Sequence, residues 1–128
     1  MALPVGGAFH TPLMAPARDR LRKALGEVDV RAPAVPVIAN VDAAARDEAD
    51  EWPQLLASQL CSPVQGRQSL YQLSEMGCTT FVELGPGTVL TGMAKRTLKD
   101  VTTLSVGTPE DVDALLTAVT DLGSSEFA

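Results

Sequence analysis

The sequence predicts an α/β protein with a mainly parallel sheet and flanking helices. Short apolar, β-branched runs alternate along the chain with segments in which apolar residues recur every three or four positions. Strands separated by helices imply crossover connections between parallel neighbours in one sheet. The chain of 128 residues, with 45% hydrophobic and 20% charged residues, has the size and composition of a single globular domain.

Four segments have the character of strands. TTFVEL at 79–84 is the clearest, and VPVIANVD at 35–42 is continuous and β-branched, which predicts a buried parallel strand. The other two predicted strands are 3–8 and 101–106. The acidic, alanine-rich stretch 42–51 fits either a surface loop or a frayed helix entry.

Apolar residues at helical spacing predict five helices. The first four are expected at 16–25, 51–60, 66–77 and 88–98. Pro63 closes the second helix, and Gly77 suits the position just after the third. The fifth helix is expected to take Thr108 as its N-cap, Pro109 as its first residue and Asp111 in its first turn.

Charge and composition exclude several classes of function. Acidic residues outnumber basic ones by 16 to 10, so the chain would repel nucleic acid, and the basic cluster at 18–23 is expected to be a solvated helix face. Cys61 and Cys78 have no metal-ligand spacing, and one histidine does not complete a zinc site with them. The sequence has neither a signal-peptide pattern nor an apolar run of about 20 residues, which predicts a cytoplasmic protein with reduced thiols and no membrane contact.

The only histidine, His10, directly follows the first predicted strand in GGAFHTPLM. Ligands of parallel sheets collect beyond the carboxyl ends of the strands, where Asn40 and the turn 85–87 are also expected. The turn lacks the phosphate-binding glycine patterns and is expected to be a tight strand-to-helix connection. His10 is either a catalytic base or a polar residue at a turn. A base needs a nucleophile, and the chain has no G-x-S-x-G elbow.

Four segments carry a resemblance to a known family: GAFHTPLM, VPVIANVD, SQLCSPVQ and FVELGPGTVLTGMAKR. In this order and spacing, the chain resembles malonyl-CoA:acyl carrier protein transacylase and related polyketide acyltransferase domains from Leu3 to about Leu122. The resemblance implies that residues 1–122 are the C-terminal part of the large, hydrolase-like subdomain. Residues 123–128 are then a tail, either a frayed end or a cloning remnant.

The resemblance implies a transferase that moves malonyl from malonyl-CoA to the phosphopantetheine thiol of acyl carrier protein through a seryl ester. His10 matches the general base that takes the serine proton, and Gln59 matches the residue whose main-chain carbonyl holds the imidazole Nδ1 proton. Phe9 matches a bulky residue that favours malonyl over methyl-branched units. Asn40 stands where the family often has Asn near the site. Malonyl-CoA is a substrate, and no cofactor or metal is implied.

The family's serine nucleophile, its carboxylate-binding arginine, its oxyanion-site glutamine and its ferredoxin-like subdomain all precede the GAFH segment and have no counterpart here. The chain is therefore expected to be a C-terminal fragment that is inactive alone. A cut strand edge would also expose backbone groups and apolar side chains, which predicts self-association or partial disorder near residues 1–8. Gly66 stands where relatives commonly have Trp.

Two other functions stay open at this point. The chain is alternatively a non-catalytic module that binds acyl carrier protein or a separately supplied N-terminal half. A third hypothesis is a small α/β enzyme with Cys61 or Cys78 as its nucleophile.

Overall fold

The computed structural model describes residues 7–125, with side chains described through residue 120. The chain divides into two compact units, one ending at Gln72 and the other starting at Leu73. The expected strand at 3–8 lies mostly outside the described residues, and residues 7 and 8 are not in a strand.

The first unit combines helices with a small hairpin. Its elements are a short 3-10 helix Pro12–Met14, α1 (Ala15–Leu25), β1 (Val37–Ala39), β2 (Ala44–Arg46), α2 (Trp52–Gln59) and the first part of α3 (Gly66–Glu75). The helices lie where the apolar spacing predicts them, to within a few residues. α1 packs against α2, and Arg22 Nη2 donates to Gln54 Oε1 over 3.4 Å between them.

The prediction of a buried parallel strand at 35–42 is wrong. Only the three residues of β1 are extended, and β1 pairs with β2 in an antiparallel hairpin, with Ile38 opposite Ala45. Val37 is 40% exposed and Ala39 is buried. The strand is therefore buried only at its Ala39 end, whereas a central parallel strand is buried on both faces. Continuous apolar character alone does not distinguish a buried parallel strand from one strand of an antiparallel hairpin. The hairpin partner, β2, lies in a stretch without the sequence character of a strand.

That partner strand lies in the acidic stretch 42–51, for which the sequence predicts only a loop or a helix. Ala43 has φ 57° and reverses the chain, and Asp42 Oδ1 accepts the Ala44 N–H over 3.1 Å. Arg46 then donates to Asp42 over 2.5 Å and to Glu51 over 2.7 Å. Burial raises the pKa of the Asp42 carboxyl, but the Ala44 N–H and the Arg46 guanidinium outweigh burial, so the pKa is lowered.

The second unit is a βαβ unit followed by a helix. Its elements are the end of α3, β3 (Thr80–Leu84), α4 (Val89–Thr97), β4 (Thr102–Val106) and α5 (Asp111–Ser125). β3 and β4 pair in parallel, with Val82 opposite Leu104, and α4 forms the crossover between them. Both strands and the crossover helix are where the sequence predicts them, so the α/β fold class is confirmed.

Glu83 connects β3 to the start of α4. Its carboxylate accepts the N–H of Leu90 over 3.1 Å, and the N–H and hydroxyl of Thr91 over 2.7 and 2.6 Å. The Thr91 hydroxyl and then the N–H groups lower the pKa of Glu83, because they stabilise its charged form. The intervening Gly85 and Gly87 have φ 127° and 104°, which side chains rarely permit. The GPG segment is thus the tight strand-to-helix turn that the sequence predicts.

The start of α5 differs from the predicted cap. The Thr108 hydroxyl does not accept a helix N–H; it donates to Asp111 Oδ2 over 3.2 Å. The same oxygen accepts the N–H of Thr108 over 2.9 Å and the N–H of Gly107 over 3.0 Å. These bonds, led by the Thr108 N–H, lower the pKa of Asp111. The Asp111 carboxylate therefore accepts N–H groups that precede it in the chain, as the acidic residue of a capping box does.

Burial is slight in both units. Within the described part of the chain, the buried apolar residues are Ala39, Ala43, Ala57 and Ala94. In the second unit, Leu84 is 75% exposed and Val89 is 70% exposed. Among the described residues, no helix is long and apolar enough to cross a membrane.

Candidate functional site

His10 is held in a tight turn that precedes the 3-10 helix. Its φ of 61° is left-handed, a conformation uncommon outside glycine but tolerated by histidine better than by most residues. The Thr11 hydroxyl donates to the Ala8 carbonyl over 2.7 Å and closes this turn. The imidazole is exposed. A strained residue kept in an exposed turn is typical of functional sites.

The first partner of His10 is the end of α2. The imidazole Nδ1 lies 3.0 Å from the main-chain carbonyl oxygen of Gln59. A carbonyl oxygen can only accept, so the neutral ring carries its proton on Nδ1. The lone pair is therefore on Nε2, which is the state that a general base requires.

The Gln59 side chain fixes the same helix end. Its Nε2 donates to the carbonyls of Ser62 and Pro63 over 2.9 and 3.4 Å. Turning the amide over would bring Oε1 against these two acceptors, so the amide orientation follows from its partners. Nε2 is also 3.4 Å from His10 Nδ1, but that nitrogen already donates to the Gln59 carbonyl and has no lone pair to accept. Gln59 Oε1 is buried and has no hydrogen-bond partner among the described residues.

A cavity of about 220 Å³ lies beside Gln59 in the first unit. Its walls are residues 37–41 on one side and α2 residues, including Trp52 and Leu55, on the other. Asn40 and Gln59 are its amide-bearing residues, and the rest of the wall is apolar. The lining therefore has few polar groups and no charged side chain.

Gln65 holds the chain at Asn40 and was not singled out from the sequence. Its N–H donates to the Asn40 carbonyl over 2.8 Å, and its side-chain Nε2 donates to the Val41 carbonyl over 2.8 Å. The signal that could have found it is its place in SQLCSPVQ, one of the segments that carry the resemblance. Gln65 thereby connects the start of α3 to the residues that follow β1.

The four residues singled out from the sequence are only partly brought together. His10 and Gln59 are hydrogen-bonded, and Gln59 and Asn40 line one cavity. Phe9 precedes His10 in the turn, is 61% exposed and does not line that cavity. Its ring lies against Gly7, where an added Cβ would be 2.7 Å from a ring carbon.

The described part of the chain provides no nucleophile at His10. Through residue 120, no hydroxyl or thiol hydrogen-bonds to the imidazole, whose partners all belong to Gln59. Residues 1–6 contain no serine, threonine or cysteine, whereas residues 121–128, whose side chains are not described, contain Ser124 and Ser125. Cys61 and Cys78 are free, partly exposed thiols. The described residues also contain no group of three potential metal ligands.

Comparisons with known proteins find malonyl CoA-acyl carrier protein transacylases and a polyketide biosynthesis protein. No protein-family profile matches the chain. A malonyl CoA-acyl carrier protein transacylase of Bacillus subtilis is 40% identical over 111 residues, which make up 87% of this chain and 35% of that enzyme. The polyketide biosynthesis protein ThaF of Burkholderia thailandensis is 39% identical over 98 residues, 77% of this chain and 8% of that protein.

A solved structure gives the same result. The crystal structure of malonyl CoA-acyl carrier protein transacylase from Clostridium perfringens matches with a TM-score of 0.90 and 30% identity, covering 100% of this chain and 40% of that one. The chain thus spans well under half the length of the transacylases that it matches. Over that span, it belongs to the malonyl-CoA:acyl carrier protein transacylase family and corresponds to the C-terminal part of the acyltransferase fold.

Proposed function

We propose that this chain supplies the general base of a malonyl-transfer site whose serine nucleophile belongs to another polypeptide segment. The observation that carries the proposal is the His10–Gln59 hydrogen bond, which leaves a basic Nε2 at the surface. The lack of a hydroxyl partner among the described side chains supports the second part. The substrates are malonyl-CoA and the phosphopantetheine thiol of acyl carrier protein, by analogy with the named relatives.

In the proposed reaction, His10 Nε2 takes the proton of the serine hydroxyl while the serine oxygen attacks the malonyl thioester carbonyl. The bond to sulfur breaks, and the imidazolium returns the proton to the coenzyme A thiolate. In the second half, Nε2 takes the proton of the carrier-protein thiol, whose sulfur attacks the seryl ester. The ester bond breaks, and the imidazolium reprotonates the serine oxygen.

The roles of the neighbouring residues follow from this scheme. The Gln59 carbonyl holds the Nδ1 proton throughout and stabilises the imidazolium that forms in each half-reaction. We assign Phe9 to selection against α-methyl acyl groups, because a phenyl ring beside the base restricts the space next to the α-carbon. Asn40 is assigned to binding, through the cavity that it shares with Gln59.

Malonyl transfer from malonyl-CoA to acyl carrier protein tests the proposal. The purified 128-residue chain is expected to show none. Mixed with the preceding part of the Bacillus subtilis relative, it is expected to regain transfer, which His10→Ala lowers on the order of 10²–10⁴-fold. Arg20→Ala is the matched control, because Arg20 is an exposed residue of α1. Turnover by the chain alone that is lost in His10→Ala would refute an external nucleophile.

The non-catalytic alternative rests on the exposed apolar side chains and has a separate test. Binding of acyl carrier protein by the 128-residue chain, with no transfer after mixing, would favour a docking module. If the chain binds neither acyl carrier protein nor the preceding part of the Bacillus subtilis relative, the docking module is excluded.

Self-association of the chain is a separate proposal. β3 has β4 as its one neighbour in the described sheet, so its other edge has no strand partner among the described residues. Val82 and Leu84 on this strand are 38% and 75% exposed. The average mass in sedimentation equilibrium is therefore expected to rise with concentration. A monomer at all concentrations would contradict this expectation. The predicted contact near residues 1–8 lies mostly outside the described residues.

A further inference from the structure

We infer that Pro63 is a positioning residue for the base: because it has no N–H, it removes the helical donor that would otherwise compete with His10 for the Gln59 carbonyl. This deepens the proposed function, since it rests on His10 acting as the base. Pro63 itself touches no reacting atom in the proposed reaction, and its effect reaches the imidazole through one carbonyl group.

The argument starts from the hydrogen-bond pattern of a helix. The carbonyl of residue i accepts the N–H of residue i+4. For Gln59, the last residue of α2, residue i+4 is Pro63, which has no N–H to donate. Proline also disfavours helical backbone at the preceding Ser62, so the helix does not continue. The usual donor to the Gln59 carbonyl is thus removed by the covalent structure of the chain.

The distances at the end of α2 agree with this account. The Gln59 carbonyl accepts one backbone donor, the Ser62 N–H, over 3.3 Å. His10 Nδ1 is closer to the same oxygen, at 3.0 Å. The preceding carbonyl, of Ser58, already takes the Cys61 N–H over 3.1 Å. The Gln59 carbonyl is therefore the one that the end of the helix presents to a side chain from elsewhere.

The other features of Pro63 favour a test at this position. Its side chain is exposed, so removing the ring leaves no cavity in a core. Its carbonyl accepts from Gln59 Nε2 over 3.4 Å, and any residue at position 63 retains that carbonyl. The substitution can thus be confined to the presence or absence of one N–H group.

The experiment compares alanine with N-methylalanine at position 63. The two differ by one methyl group in place of the amide hydrogen, and both lack the proline ring. The native Cys61 and Cys78 permit assembly by peptide ligation from segments 1–60, 61–77 and 78–128. Only the middle peptide changes. The first segment carries ¹⁵N-labelled histidine, and His10, the single histidine, gives one set of imidazole signals.

The readout is the tautomer of the neutral imidazole, taken from its ¹⁵N chemical shifts. The Nδ1–H form is expected to dominate with proline and with N-methylalanine at position 63. With Pro63→Ala, the new N–H competes for the Gln59 carbonyl, and the ratio of Nδ1–H to Nε2–H is expected to fall about fivefold, equivalent to about 1 kcal/mol for one hydrogen bond. Equal ratios for alanine and N-methylalanine would overturn the inference, as would a dominant Nε2–H form in the unsubstituted chain.

Two controls separate this effect from general loss of structure. Pro53→Ala places a new N–H in the first turn of α2, where helix N–H groups have no intrahelical acceptor, so the tautomer ratio is expected to stay unchanged. A changed ratio there would contradict a specific role of Pro63. Circular dichroism of the alanine and N-methylalanine proteins is expected to be equal, which assigns the shift to the N–H group. The tautomer is read without substrate, so failure of the transfer assay and failure of this inference are distinguishable.

Discussion

Replacing Thr91 by valine tests the side-chain contacts that connect β3, α4 and β4. The Thr91 hydroxyl donates to Glu83 over 2.6 Å and lies 2.8 Å from Ser105 Oγ. Its single proton is used by the carboxylate, which can only accept, so Ser105 is the donor in the second bond. Three side chains from three consecutive elements of the second unit thus form one directed chain of hydrogen bonds.

The cost of the substitution follows from burial. Thr91 is 9% exposed, and valine has nearly its shape, so Thr91→Val removes two hydrogen bonds without opening a cavity. At roughly 1 kcal/mol for each bond, we expect a loss of about 2 kcal/mol of unfolding free energy. Ser105→Ala removes one bond and is expected to cost about 1 kcal/mol. In Thr91→Val the Ser105 hydroxyl has already lost this acceptor, so the double variant is expected to cost about 2 kcal/mol and not the sum of about 3.

The assay is urea unfolding followed by far-ultraviolet circular dichroism. With a slope of about 1 kcal/mol per molar urea, Thr91→Val is expected to lower the midpoint by roughly 2 M. Together, the two single variants and the double variant form a double-mutant cycle, which is expected to give a coupling of about 1 kcal/mol between Thr91 and Ser105. Additivity within about 0.5 kcal/mol would show that the two hydroxyls act independently and would refute the directed chain.

Three further predictions concern the second unit. Folding lowers the pKa of Glu83, so the stability that this carboxylate contributes is present above the ordinary pKa of 4.5 and is lost as the pH falls below it. Glu83→Gln is therefore expected to weaken the loss of unfolding free energy at acid pH, measured by urea unfolding, and an unchanged loss would contradict this. Gly92→Ala within α4 is expected to stabilise the protein by about 0.5 kcal/mol. Gly87→Ala is expected to destabilise it by about 1 kcal/mol because of the φ of 104°, although the added Cβ would meet no atom within 4 Å. Thermal unfolding distinguishes the two variants, and equal effects would refute the backbone argument. Asp111→Ala is expected to speed amide hydrogen exchange at Gly107 and Thr108, measured by NMR, whereas unchanged rates would exclude the reaching-back carboxylate.

Local sequence patterns predicted most of the secondary structure of the second unit. TTFVEL and VTTLSV became β3 and β4, and the glycines of GPG occupy the backbone conformations that only glycine adopts readily. These elements depend on neighbours in sequence and on one short crossover, so local propensity and spacing suffice. The α5 cap was wrong in detail because two residues of TPED carry capping side chains, and which one accepts the N–H groups depends on the path of the chain before the helix.

The candidate site was predictable in part. GAFH and SQL identified His10 and Gln59 by resemblance, but spacing does not determine that an imidazole in a left-handed turn meets the end of a helix 49 positions away. That contact depends on the packing of α1 against α2 and on a carbonyl whose usual helical donor is replaced by proline. Gln65 was missed for the same reason, since its two acceptors follow a strand more than twenty positions earlier.

The sequence by itself determined the α/β class, the family, the positions of the helices and the identity of the single imidazole. Only the tertiary structure decided that 35–42 contributes to a short antiparallel hairpin, that His10 lies in a left-handed turn and that Glu83 is coupled to Ser105 through Thr91. The physical reason is the range of the interactions. Backbone propensity and apolar periodicity act over a few residues, whereas hydrogen-bond partners and strand neighbours are chosen by packing between segments that lie far apart in the chain.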